Sequence, residues 1–191
     1  MTASLLRPAA AEFLRIAGAV PDLTAPTPCD GYDVRGLLNH LVYWGPWLIA
    51  AGQRAEPPSP GGGEAAFVTD DWRADLEKQT ETLVSVFGTP SVWTGTTSLG
   101  SAAMPSAVVG AMVLGEFVLH GWDLARASGQ AFHCAPEAAT AVYESAVAMG
   151  DQARAMGVYG PEVAVAADAS PLERALGASG RDPEWSCPQV G

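Results

Sequence analysis

The chain has a single lysine, Lys78, and little positive charge of any kind. Ten Lys and Arg stand against 21 Asp and Glu, a formal charge of −11 at pH 7. No basic cluster interrupts that field, so nucleic acid and anionic membrane surfaces are poor partners. Cysteine is also scarce. Cys29, Cys134 and Cys187 are odd in number and widely spaced, with no C-x-x-C pair. That excludes a zinc ribbon and a thioredoxin-type motif, and it fits a reducing cytoplasm better than a disulfide scaffold. There is no P-loop, no G-x-G-x-x-G and no G-x-S-x-G. Arg7, Glu12 and Arg15 break up the apolar N-terminus, so no signal-peptide core forms there. Residues 92–115 carry no charge, which is long enough to suggest a membrane span. Yet Thr94, Thr96, Thr97, Ser98, Ser101, Pro105 and Ser106 lie within them, and the apolar run then meets Glu116, His120 and Asp123. A polar loop followed by a buried helix is the better reading.

What remains is a globular composition. The 191 residues are 48% hydrophobic and 16% charged, enough for one domain with a core. Apolar periodicity predicts a helix over 3–19, with Pro8 in its first turn. A second runs from an Asp33 cap to about Ala51. A third spans about 70–87, with Leu76, Leu83 and Phe87 inward. The segment 52–64, with its PPSPGGG run, reads as a linker. Val92–Thr97 reads as a short strand or a loop. Pro105 sits at the first position of the longest helix, which runs to about Ala127 before Gly129. Pro136 to about Met156 is a further helix, and a small capped helix covers Ser170 to Leu176. The expectation is an all-α four-helix bundle over residues 1–157, with an extended and helical tail over 158–191.

Chemistry concentrates in GEFVLHGWDLARASG, residues 115–129. Glu116 and His120 are four apart, on one face of a helix, with Cβ atoms roughly 5–6 Å apart. Asp123 follows three residues later. A buried carboxylate must be neutralised, paired or coordinated, and a divalent ion does this for the whole group. Carboxylate and imidazole are the donors zinc and related ions accept. A third ligand must come from elsewhere. Only His40, His120 and His133 are available. His40 shares a helix face with Leu37, Trp44 and Trp47, whereas His133 falls in an exposed loop. The blander readings stand beside this one. His40 fits a satisfied core histidine, Glu116 and His120 fit a simple hydrogen-bonded pair, and Asp123 fits a pair with Arg126 or a role orienting a ligand. Trp44, Trp47 and Trp122 fit the core or a pocket wall. Cys29 reads as a small buried hydrophobe, because no base is adjacent in sequence.

Two segments carry a resemblance. TPCDGYDVRGLLNHLV (27–42) and EFVLHGWDLARASGQ (116–130) resemble the signatures of the DinB-like, mycothiol-dependent maleylpyruvate isomerase-type metal-binding domains. The tail VYGPEVAVAADASPLERALGASGRDP (158–183) looks like the end of their smaller single-domain members. Tyr32 stands where the second-helix signature often has Trp, and Asp33 keeps the cap. The resemblance implies a four-helix bundle with a divalent metal at one end of its core. It maps the ligands onto His40, Glu116 and His120, and a functional position onto Asp123. The isomerase that names the family has an additional C-terminal domain that helps form its active site. Here only residues 158–191 follow the bundle, so its isomerisation is not expected.

The resulting expectation is a metal-dependent enzyme. A zinc ion, or nickel, iron or manganese, would activate a low-molecular-weight thiol such as mycothiol for transfer or addition to a small electrophile. His40, Glu116 and His120 would hold the ion, and Asp123 would move a proton or orient a ligand. The alternatives are a metal-dependent hydrolase with activated hydroxide as nucleophile, and a non-catalytic metal-binding or regulatory protein. Expected partners are a small-molecule substrate and the thiol, with a homodimer open.

Overall fold

A computed structural model describes residues 3–58 and 68–187. The expected linker at 52–64 falls partly outside the described residues, which end at 58 before it resumes at 68. The all-α expectation holds. Helix α1 (Ala3–Gly18) buries Leu6, Ala10, Phe13 and Ala17, spaced three or four residues apart along one face. Pro8 lies inside α1, in its second turn rather than its first. Helix α2 (Val34–Gln53) starts where the Asp33 carboxylate accepts from the Gly36 N–H at 2.7 Å. It buries Val34, Leu37, Leu38, Leu41 and Leu48. Helix α3 (Trp72–Phe87) turns Trp72, Leu76, Leu83 and Phe87 inward.

A 3₁₀ turn (Pro90–Trp93) then leads into a hairpin that the sequence did not reveal. Strands β1 (Thr96–Leu99) and β2 (Ala102–Pro105) pair antiparallel, Thr96 opposite Pro105 and Leu99 opposite Ala102. Gly100 takes the positive φ of the two-residue turn, at 60°. The Thr97 hydroxyl donates to the Ala51 carbonyl and ties the hairpin to the end of α2. Pro105 therefore closes a strand and caps the next helix instead of occupying its first turn.

The longest helical rod follows: α4 (Ser106–Gly115), a π-helical turn (Glu116–His120) and α5 (Gly121–Ala127). By length and composition it could cross a membrane, but most of it is buried inside the protein. Val109, Val113, Leu114, Phe117 and Leu124 lie in the common core with α1, α2 and α3. These four elements form the bundle: α1 packs on α3 and α5, and α2 packs on α3 and α4. Helix α6 (Pro136–Ala155) lies against α4, and α7 (Pro171–Ala178) lies against α6. The expected cap of α7 is present as a reciprocal Ser170–Glu173 box.

Two turns of the tail cross at glycines. Gly180, at φ 84°, approaches Gly160 so closely that a Cβ there would lie 2.6 Å from the Gly160 Cα. Only glycine satisfies both the backbone angle and the contact. The crossing sets Tyr159 and Arg181 side by side at the end of the bundle where α2 begins.

Glu12 fastens α1 to the loop before α6. Its carboxylate accepts from Arg15 at 2.8 and 2.7 Å and from the His133 backbone N–H at 2.8 Å. Arg15 bonding holds its pKa down at about 2, against the opposing pull of burial. A folded value below the ordinary one stabilises the fold above the ordinary carboxylate range, and that gain disappears as pH falls toward 2. Glu12→Gln should therefore cost about 1–2 kcal/mol near neutral pH. Denaturant titrations at descending pH should show the gap to the parent protein closing through the acid range.

Candidate metal centre

The centre forms where the second turn of α2 faces the π turn. The Asp33 cap fixes where α2 begins, and so places His40 two turns in, on the face that meets the rod. On the rod, the wider π turn carries Glu116 and His120 at its two ends. π turns of this kind recur at functional sites. Gly121 follows at once. A Cβ there would press to 2.9 Å from the Phe132 ring, so a larger residue would push the turn out of place.

Three of the residues singled out from sequence meet here. Glu116 Oε2 lies 3.7 Å from His40 Nε2 and 3.5 Å from His120 Nε2. One donor atom of each of the three lies within 4.8 Å of the others. These separations are long for hydrogen bonds. Ligand atoms about 2.0–2.2 Å from a tetrahedral ion would stand roughly 3.3–3.6 Å apart, close to the 3.5 and 3.7 Å between Glu116 and the two imidazoles. The donor set and its spacing therefore fit a divalent ion. The side chains of His40, Glu116 and His120 keep 20%, 21% and 12% of their exposure, so a small molecule can reach the group from outside.

The local field favours positive charge between these groups. Burial alone would raise the Glu116 carboxyl, but His120 and His40 beside it hold it below the ordinary range. Burial would likewise strip the proton from His120. Glu116 opposes this, with help from Asp123 and Cys29, and lifts the imidazole to about 10. A metal ion would take over the role of that proton.

Asp123 lies on the other side of the His120 ring. Its Oδ2 is 3.0 Å from His120 Nδ1, and its side chain has no exposure at all. It does not pair with Arg126, whose guanidinium instead donates to the Trp185 carbonyl. Its partner is Arg181, 58 residues on, which donates through Nε to both carboxylate oxygens at 2.9 and 3.1 Å and through Nη2 to Oδ2 at 2.8 Å. Burial pushes the Asp123 carboxyl up, and Arg181 with His120 brings it below its ordinary range. Asp123 is thus a fixed, ionised acceptor for the Nδ1 side of His120, an arrangement that sets the tautomer of a metal ligand.

Cys29 packs partly buried against the core, as expected of a small hydrophobe. It also sits against the site, with Arg181 Nη2 3.6 Å from its Sγ. The base absent from its sequence neighbourhood is present in space. Trp122 is a buried core residue at 6% exposure, whereas Trp44 and Trp47 are half-buried and meet Tyr43 and each other edge-on or tilted along α2. His133 is exposed, as expected, and its ring Nδ1 lies 3.2 Å from Glu12 Oε1. Arg181 and Tyr159 escaped sequence reasoning because neither lies at any period from the residues they meet. The one available signal was indirect: a buried Asp123 needs a cation, and the chain has few to offer.

Asp123→Ala would leave Arg181 charged and buried without its partner. It should lower stability by about 3–5 kcal/mol in chemical denaturation at neutral pH. No curated protein and no solved structure matches the chain. The sequence model of the mycothiol maleylpyruvate isomerase N-terminal domain matches residues 6–125, a span that contains His40, Glu116, His120 and Asp123 and ends before Arg181. With that match over most of its length, the chain belongs to the mycothiol maleylpyruvate isomerase N-terminal domain family.

Proposed function

We propose that the protein binds one divalent metal ion through His40, Glu116 and His120 and uses it to activate a low-molecular-weight thiol, of the mycothiol kind, for transfer or addition to a small electrophile. The observation that carries this reading is the convergence of two imidazole nitrogens and one carboxylate oxygen from two helices on one partly exposed point. The thiol follows from the family, whose description names mycothiol. Zinc suits the donor set, and nickel, iron or manganese also accept it.

When bound, the ion supplies Lewis acidity, which lowers the pKa of a thiol placed on its open side. The rest falls to the chain. Three protein ligands leave room for a fourth group, the arrangement of catalytic rather than structural sites. Glu116 lowers the net charge of the centre. Asp123 accepts a hydrogen bond from the Nδ1–H of His120 and so leaves the Nε2 lone pair free for the ion. Of the two roles expected for Asp123, carrying a proton or orienting a ligand, its full burial favours the second in this reading. Tyr159 stands at the same end of the bundle, partly buried. Burial raises its phenol pKa, and Glu116 adds to the rise against the pull of Arg181. The hydroxyl therefore stays protonated and able to donate to an incoming anion. A cytoplasmic location belongs to the same reading, on the odd number and wide spacing of the three cysteines.

Elemental analysis of protein purified without added metal tests the first half. Near-stoichiometric transition metal is expected in the parent protein, with most of it lost in His120→Ala. No metal in either, even after supplementation, would sink the reading. Asp123→Asn should weaken metal affinity by about 10–100-fold in a chelator competition while leaving the three ligands in place. For the second half, turnover of a generic electrophile should rise with thiol concentration. Turnover of ester or amide substrates without any thiol would favour the hydrolase instead.

A further inference from the structure

Two groups of metal-ligating side chains share His120. One is His40, Glu116 and His120. The other is Cys29, His120 and Asp123, whose donor atoms also lie within 4.8 Å of one another. The second set includes a thiol, the softer donor, which zinc and its neighbours bind readily. On ligand chemistry alone it should compete for the ion.

The second set already holds a cation. Arg181 Nη2 lies 2.8 Å from Asp123 Oδ2, 3.4 Å from His120 Nδ1 and 3.6 Å from Cys29 Sγ. One guanidinium thus touches all three members. Nη1 is held from behind by the Ser179 carbonyl at 3.4 Å, and the residue is only 5% exposed. The Gly160–Gly180 crossing fixes the backbone immediately before it. An arginine does not deprotonate inside a protein, so it cannot vacate the position by losing its charge.

We propose that Arg181 is a resident cation that fills the Cys29–His120–Asp123 site and thereby directs the divalent ion to His40, Glu116 and His120. This rests on the metal reading above. A metal ion and a guanidinium cannot share the same three donors, because their charges repel at contact distance in a poorly solvated setting. Asp123 Oδ2, the oxygen that faces His120, is already taken by Arg181 Nε and Nη2 and by the Nδ1 side of that ring. Without the guanidinium, Asp123 becomes a buried carboxylate lacking a counter-ion, with a thiol and a ring nitrogen beside it. A divalent ion would then enter. A metal–sulfur bond would form at Cys29 and a metal–nitrogen bond at His120 Nδ1; the S–H bond and the Nδ1–H bond would break, and both protons would pass to the buffer. The tail of the chain therefore sets which of two sites the protein presents.

Cobalt(II) makes the test, because thiolate ligation produces a sulfur-to-cobalt charge-transfer band in the near ultraviolet. The full-length parent protein loaded with cobalt should lack that band. Arg181→Met should gain it, and Arg181→Met with Cys29→Ser should lose it again. Arg181→Gln, which can still hydrogen-bond Asp123 and so burdens the fold less, should gain it too. Arg181→Lys, which keeps a cation in place, should not. A thiolate band in the parent protein overturns the proposal with no variant needed. So does the absence of a band in Arg181→Gln that is folded by circular dichroism and carries cobalt. The metal reading fails separately: it falls if the parent protein takes up no cobalt or keeps it unchanged in His40→Ala, whatever the Arg181 variants do.

Discussion

Everything at the working end of this molecule depends on one buried carboxylate. Asp123 has no contact with solvent, and it stays ionised because Arg181 meets it with three hydrogen bonds. A charge so placed would be ruinous alone. Paired, it becomes a rigid acceptor that fixes the ring of His120. The ring in turn presents its other nitrogen to Glu116 and His40. The order of cause therefore runs from the tail, through Asp123, to His120, Glu116 and His40.

The bundle exists to make that chain of contacts stiff. Glu116 and His120 stand at the two ends of a π turn, a wider coil than the α-helix on either side. A π turn is held in place by what surrounds it. Here Phe117, Val118 and Leu119 are buried within it, and Phe13 packs against Phe117 with ring centroids 5.6 Å apart. Helix α1 thus clamps the turn from one side while α2 brings His40 to the other. The tail, lying outside the span matched by the family, supplies the counter-charge.

Much of this was legible in the residues. Apolar spacing located α1, α2, α3, the rod and α6, because each buries one face and so must repeat near the helical period. The Asp33 and Ser170 caps were visible because a short polar side chain before an apolar run has a specific backbone task. Glu116 and His120 stood out as polar groups within a run that is otherwise buried. The hairpin at 96–105 was missed, since its strands, TTSL and AAMP, are four residues each, with no alternation strong enough to register. Proline misled twice, at Pro8 and at Pro105, because its fixed φ suits a helix start, a strand end and a cap alike.

The residues alone specified the helical architecture, the acidic character and the placing of Glu116 and His120 on one helix face. Those are local facts: a period, a composition, a spacing of four. The sequence left His40 to the family resemblance. It did not determine what neutralises Asp123, nor that Cys29 lies beside His120. The nearest cation in sequence, Arg126, is bound elsewhere, and the true partner arrives 58 residues later through a turn held by two glycines. Which charges meet in a buried site is settled by how distant segments pack, because burial makes each charge seek whatever counter-charge the fold brings within reach. Tertiary structure alone made that choice.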